Sequence, residues 1–303
     1  MLFTMLTMFT TCAPFRGHRK IIQTNALRSW TLLRPRPEIL LFGDEEGTTE
    51  IAQELGIRHI PQVERNEYGT PLGDDLFRQA ERLATHSILC FSNADMIFTQ
   101  DFMNAIHTLS SLRKPFVFTG PRLPVQVHSF IDFSQPGWDA DLLAMAKKFG
   151  PDLDAVDFIV FPKGLEHNIP PMAVGRIWRL GWIIWRARLL KIPVVDGGAL
   201  VPAFHQDHPY ERGAKWVWEG PEAQKNLELT KKMYVEFITL DATHILTQQG
   251  IRPAIGLKYL WRRFYTLPVF YPWLRPVYGP LYFALRTSRP LRLRLRLTLS
   301  TLL

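Results

Sequence analysis

Residues 87–95, Ser87-Ile88-Leu89-Cys90-Phe91-Ser92-Asn93-Ala94-Asp95, pass from an unbroken apolar run straight into an amide and a carboxylate. A short apolar run without polar alternation suits a strand buried on both faces, as in a parallel sheet covered by helices. Sheets of that kind bind ligands beyond the carboxyl ends of their strands, and Asn93 and Asp95 stand at such an end. Hard divalent cations take oxygen ligands, and Mg²⁺ characteristically uses one or two carboxylates plus phosphate oxygens of a substrate. The same residues also suit a turn, or a cap on a helix beginning near Asp101.

Working outward, the pattern alternates. Residues 3–10 are apolar and β-branched, a buried first strand. Ile22, Ala26, Trp30 and Leu33 then repeat at helical spacing. Residues 38–42 form a short apolar strand stopped by Gly43-Asp44, and Thr48 or Thr49 caps a brief helix that ends at Gly56. A weaker strand spans 57–63. Leu72, Leu76, Ala80 and Leu83 share a helix face, as do Phe102, Ala105, Ile106 and Leu109. Strands follow at 116–119 and 155–161, on either side of a looser stretch from 121 to 154. Trp178, Trp182, Trp185 and Leu189 fall on one more helix face, and residues 199–204 lead into His205-Gln206-Asp207-His208. Strands alternating with helices predict an α/β fold with a mainly parallel sheet sandwiched by helices.

The composition is ordinary for a globular protein, 47% hydrophobic and 21% charged over 303 residues. The net charge of +8 is uneven. After Asp241 there is no acidic residue, while Arg252, Lys258, Arg262, Arg263, Arg275, Arg286, Arg289, Arg292, Arg294 and Arg296 follow. Taking those ten from the 36 basic residues leaves 26, against 28 acidic ones, for residues 1–241. A near-neutral body argues against a nucleic-acid-binding domain. Two distant cysteines, Cys12 and Cys90, exclude a thiolate zinc pair and a disulfide framework, and fit a reducing cytoplasm. No stretch is long and apolar enough to suggest a transmembrane helix. Residues 1–11 lack the basic start of a signal peptide.

The order of these features carries a resemblance. Asn66-Glu67-Tyr68-Gly69-Thr70-Pro71, an amphipathic helix, the strand and Asn93-Ala94-Asp95 together resemble the GT-A-fold glycosyltransferases, especially the family 2-like group. Pro14-Phe15-Arg16-Gly17 with Gln23, Asn25, Ala26, Ser29 and Trp30 resembles the opening of that group, and Phe42-Gly43-Asp44-Glu45-Glu46-Gly47 its second strand and loop. The resemblance covers roughly residues 5–230. It implies a nucleotide-sugar-binding domain over 1–250, with Asp44, Asn66, Asn93 and Asp95 at a nucleoside-diphosphate sugar and a divalent metal, Mn²⁺ or Mg²⁺, at Asp95. Asn93 departs from the group's first Asp, which leaves Asp95 as the single carboxylate. Asp44 approaches the nucleoside in this reading, and its alternative is a turn or cap. His205-Gln206-Asp207-His208-Pro209-Tyr210 is similar to a late motif of the group, with His205 or His208 completing the metal site. Glu222 and Asn226 match it as well, with no role implied.

One position departs from the group. Gly175-Arg176-Ile177-Trp178-Arg179-Leu180-Gly181-Trp182 resembles an acceptor-half motif, but Leu180 stands where the group has an acid. An inverting transferase needs a base for the acceptor hydroxyl. Asp157 is the candidate base, its alternative being a hydrogen-bonded core residue. The function implied is metal-dependent transfer of a sugar to an acceptor hydroxyl, by inversion or retention. The rival readings are an impaired glycosyltransferase-like binding or scaffolding protein, and a nucleotidyltransferase. The absence of Walker and strand-linked GxGxxG sequences weighs against other nucleotide enzymes. The extension 251–303 combines arginine with Tyr259, Trp261, Phe264, Tyr265, Phe270, Tyr271 and Trp273. That mixture suits an anionic membrane surface, which would place the protein in the cytoplasm and peripherally on a membrane. The alternative is a solvated tail.

Overall fold

A computed structural model describes residues 6–279, apart from 113, 166–167, 210–212, 231–232 and 234. The first half alternates as the apolar periodicity predicts: β1 (Leu6–Thr11), α1 (Gly17–Leu32), β2 (Glu38–Phe42), α2 (Thr48–Leu55), β3 (Arg58–Ile60), α3 (Gly73–Leu83) and β4 (Ile88–Ser92). Then come β5 (Met96–Phe98), α4 (Gln100–Ser110), β6 (Val117–Thr119), β7 (Leu123–Val125), α5 (Trp138–Ala146), β8 (Phe158–Pro162) and α6 (Arg179–Leu189). The last part holds β9 (Val194–Asp196), β10 (Ala203–Gln206), α7 (Gly213–Glu219), α8 (Pro221–Thr230), β11 (His244–Thr247), β12 (Gly250–Pro253) and α9 (Leu257–Phe270).

Nine strands form one sheet in the order β12-β11-β9-β6-β8-β4-β1-β2-β3. The β4-β1-β2-β3 segment is parallel, as is β6-β9-β11. Between them β8 runs antiparallel to both neighbours, and β12 closes a hairpin on β11. The fold is therefore α/β with a mainly parallel sheet. Successive strand residues feed opposite cores, because side chains alternate across a sheet. Met8, Leu41 and Cys90 pack on one face with Trp30, Phe98 and Phe102. Phe9, Leu40, Leu89 and Phe91 pack on the other with Phe77, Ile183 and Trp185. Cover on both faces is what made β4 read as a continuous apolar run.

A second sheet, in the order β5-β10-β7, stands at the carboxyl edge of the first. In it β5 is antiparallel to β10 and β7 parallel to it. The stretch 121–154, loose in sequence, contributes β7 and α5 here. The fold also runs past the expected boundary at Gly250. That glycine begins β12, and α9 returns to the body, where Tyr259 donates to Asp196 (2.6 Å) and Arg262 to Asp241 (2.9 Å). Residues 280–303 of the expected tail lie outside the described residues.

Candidate functional site

The small sheet assembles the site. Asp95 immediately precedes β5, and the antiparallel register sets His205 opposite Met96. Backbone Asp95 is fixed by the buried Gln206, whose main-chain N–H (3.2 Å) and side-chain amide (3.1 Å) both donate to its carbonyl. Gln206 also reaches α1, donating to the Ile22 carbonyl and accepting from Asn25. A strand and a helix far apart in sequence thus hold one carboxylate in place.

His208 Nε2 lies 3.0 Å and His205 Nε2 3.6 Å from Asp95 Oδ2. The other ring nitrogens determine what those atoms are. His208 Nδ1 is 3.1 Å from the Pro209 carbonyl, and His205 Nδ1 is 3.1 Å from the Asp207 carboxylate. Carbonyl and carboxylate oxygens only accept, so each Nδ1 carries a proton; each Nε2 either donates a second proton to Asp95 or, deprotonated, offers the lone pair of a metal-ligating histidine. Arg19 Nη1, a pure donor, sits 3.1 Å from His208 Nε2, which agrees with a lone pair there. Two ring nitrogens therefore face one carboxylate oxygen, contacts that need a proton or a cation between them. Asp95 Oδ1 is buried with no hydrogen-bond partner among the described residues. This donor set and this orphaned oxygen fit a divalent metal. The ligand atoms of the three residues lie within 4.8 Å of one another.

Without a metal, protons fill that role. Burial works against a charged His205, but the Asp95 and Asp207 carboxylates outweigh it and push its pKa up to about 10. Burial likewise disfavours the Asp95 carboxylate, yet His205 and His208 hold it well below the usual range.

The other expected residues divide. Asn93 turns away from the cluster, its side chain donating to Asp157 Oδ1 (2.7 Å) and its main chain to the Asp157 carbonyl (2.8 Å). Asp157 is nearly buried and also accepts from Arg122 Nη1 (3.3 Å), which bonds Asp152 as well. Its charge is felt at His205, so it lies within electrostatic reach of the cluster. Asp44 lies two residues beyond the end of β2, pairs with Arg65 (2.8 Å) and lines an open depression of about 660 Å³ with Arg65 and Arg78. Asn66, expected at the donor, commits its side chain to its own loop. Its oxygen accepts from the N–H groups of Tyr68 and Thr70, and its amide donates to Glu222. It shapes the loop between β3 and α3.

Glu222 had no role in sequence, and the structure supplies one. It is buried, and it accepts from Asn66 (2.8 Å), Trp216 (3.0 Å) and twice from Arg176 (2.7 and 2.9 Å). Burial opposes its charge, but Asn66, Thr70, Arg176 and Trp216 hold its pKa down to about 2. One helical turn on, Asn226 bonds both backbone groups of Ala173 and the Ile177 carbonyl. Together they clamp loop 173–177 and loop 66–70 onto α8. The missing signal was long-range: Arg176 and Asn66 lie 46 and 156 residues from Glu222.

Leu180 points into the core, 6% exposed, because α6 is buried on nearly all sides instead of along one face. Arg179 beside it stacks over Phe91, 4.2 Å from the ring centroid, and burial lowers its pKa to about 9. A side chain on Gly181 would come within 2.5 Å of the Phe237 carbonyl oxygen and nearer still to Glu236. Glu236 itself is pushed up to about 8 by burial. An acid at 180 would thus be an unpaired carboxylate in hydrocarbon. Leu180→Asp is expected to lower stability by about 3 kcal/mol without raising activity. Urea unfolding measures it, and an unchanged midpoint would show that position 180 faces water.

No protein-family profile and no curated protein sequence matches this chain. Solved structures do. Glucosyl-3-phosphoglycerate synthase of M. tuberculosis matches at 14% identity with a TM-score of 0.46, over 75% of this chain and 80% of that one. Mannosyltransferase PcManGT from Pyrobaculum calidifontis, solved with GDP-Man and Mn²⁺, matches at 10% identity and 0.42, over 69% and 58%. S. aureus TarS 1-349, solved with UDP-GlcNAc, matches at 13% and 0.33, over 42% of this chain and 37% of that one. The chain thus spans well under half of the TarS structure. These are likenesses of architecture to GT-A glycosyltransferases.

Proposed function

We propose that this protein is a metal-dependent glycosyltransferase, passing a sugar from a nucleoside-diphosphate donor to an acceptor hydroxyl. The observation that carries this reading is the convergence of two imidazole Nε2 atoms on the largely buried Asp95 carboxylate, just beyond the end of β4. Asp95, His205 and His208 would hold the metal, which when bound supplies Lewis-acid neutralisation of charge on the diphosphate leaving group. One carboxylate with two imidazoles suits Mn²⁺ better than Mg²⁺, which prefers oxygen throughout. Arg19, against His208, adds a fixed positive charge suited to phosphate oxygens. Asp44 meets the nucleoside in the depression it shares with Arg65. Asp157, pinned by Asn93 and Arg122, takes the acceptor proton.

Thermal unfolding with UDP- and GDP-sugars, with and without Mn²⁺ or Mg²⁺, tests the reading. A donor should stabilise the protein only together with metal, by about 2.7 kcal/mol at a hundred times its Kd, and Mn²⁺ should act at lower concentration than Mg²⁺. If no donor gives metal-dependent stabilisation, the proposal fails. The product released from the NDP-sugar then separates mechanisms: nucleoside diphosphate marks glycosyl transfer, sugar 1-phosphate nucleotidyl transfer. The alternative reading is an inactive glycosyltransferase-like binding protein. Metal-dependent donor binding with neither transfer nor donor hydrolysis would select it.

A further inference from the structure

Helix α9 has two apolar faces, and only one meets the body. Tyr259, Thr266 and Val269 are buried, with Tyr259 bonded to Asp196, and Arg188 bonded to Thr266 (3.2 Å). On the outer side Leu257, Leu260, Trp261 and Phe264 follow the i, i+3, i+4, i+7 spacing of a single stripe, 77%, 46%, 52% and 42% exposed. Ile255, Tyr271, Trp273 and Val277 extend it, between 51% and 74% exposed. Of the sixteen large hydrophobic residues exposed among the described residues, half lie in this short stretch. Such a cluster is unlike the scattered single residues of an ordinary surface. Trp261 stacks on Phe264 (centroids 5.7 Å), and Phe264 packs on Tyr278 (5.0 Å), so the stripe is a preformed surface.

Its charge selects the occupant. Lys258 is exposed next to Leu257, Arg252 is exposed on β12, Arg263 is half-exposed, Arg262 is turned inward onto Asp241, and no acidic residue follows Asp241. The sequence then continues through Arg286, Arg289, Arg292, Arg294 and Arg296. A protein partner of ordinary composition would not call for this one-signed border. An anionic bilayer would, since it attracts cations from its surface and takes tryptophan at the headgroup level. No helix among the described residues is long and apolar enough to cross a membrane. We propose that the outer face of α9, with the turn after it, docks in the plane of an anionic phospholipid surface. Leu257, Trp261 and Trp273 enter the acyl boundary, and the basic residues meet the headgroups. The inference rests on this face alone and stands apart from the proposed chemistry.

Co-sedimentation of the full chain with vesicles tests it, comparing phosphatidylcholine alone with a mixture containing phosphatidylglycerol. The protein should pellet with the anionic vesicles only. The triple substitution Leu257→Ser, Trp261→Ser and Trp273→Ser should weaken that binding at least ten-fold. A control at Phe149→Ser and Trp218→Ser, equally exposed elsewhere, should leave it unchanged. In the unsubstituted protein, lipids brominated on the acyl chains should quench tryptophan fluorescence, a readout that needs no variant to fold. Three results would overturn the proposal. The full chain does not bind anionic vesicles; or the triple variant binds as well as the wild type, which assigns binding to the basic residues alone; or the wild type is a dimer that the triple variant renders monomeric, with no quenching, which gives the face to a second copy.

Discussion

Asp95→Asn is expected to weaken Mn²⁺ binding about a thousand-fold, equivalent to about 4 kcal/mol, and to abolish metal-dependent donor binding while the protein stays folded. Asparagine keeps the size of the side chain but removes its charge, and the two imidazoles alone make a poor site for a manganese ion. The fold should survive because the main chain of Asp95 is held independently, through the two bonds from Gln206. The substitution has a second consequence with a definite sign. The Asp95 carboxylate is the first of the influences that lift His205. Without it, burial again favours the neutral ring, so the His205 pKa should fall from about 10. Calorimetric titration with Mn²⁺ and imidazole NMR across pH measure the two effects separately. Unchanged Mn²⁺ affinity would remove Asp95 from the metal site. An unchanged His205 titration would mean that the pair is not coupled as its 3.6 Å separation implies.

What could be read in the sequence follows a physical divide. β4 and the turn after it were legible because burial on both faces leaves a local mark, an apolar run ending in polar residues. The helices α3 and α4 were legible for a similar reason, each keeping one periodic face toward the sheet, and in α1 the apolar side chains recur at helical spacing although Gln23, Thr24, Asn25 and Ser29 are buried with them. The small sheet was not. Met96–Phe98 is only three residues long and gains its meaning from β10, more than a hundred residues later. Loop closure over that distance leaves no local pattern. His205 and His208 were found through a motif, but the reason they face Asp95 is this pairing. Position 180 misled for a different reason. Arg179–Leu189 is buried around most of its circumference, so periodicity could not tell a core position from one facing a cleft. In α9 the outer stripe and the buried Tyr259, Thr266 and Val269 overlap in sequence, and the helix looked like an undivided aromatic and basic extension.

The Asp157 carboxylate offers the sharpest test of chemistry as distinct from binding. Asp157→Asn is expected to lower turnover about a thousand-fold, within the range for a positioned general base, and to leave metal and donor affinity nearly unchanged. The separation follows from the geometry. Asp157 contributes no atom to the cluster of Asp95, His205 and His208, yet it stands beside that cluster, tied to Asn93 at 2.7 Å and to Arg122 at 3.3 Å. In the variant the amide oxygen still accepts from Asn93, so the turn leading to Asp95 keeps its shape. The amide nitrogen then faces Arg122, and only that contact is lost. A base removed in this way affects the transition state and spares the ground state, which appears as lower kcat at constant KM for the donor. A structural Asp157 predicts the opposite pattern: weaker Mn²⁺ and donor binding, because the turn before β5 would shift, with kcat reduced only in proportion. Turnover within ten-fold of wild type at unchanged affinities would exclude Asp157 as the base.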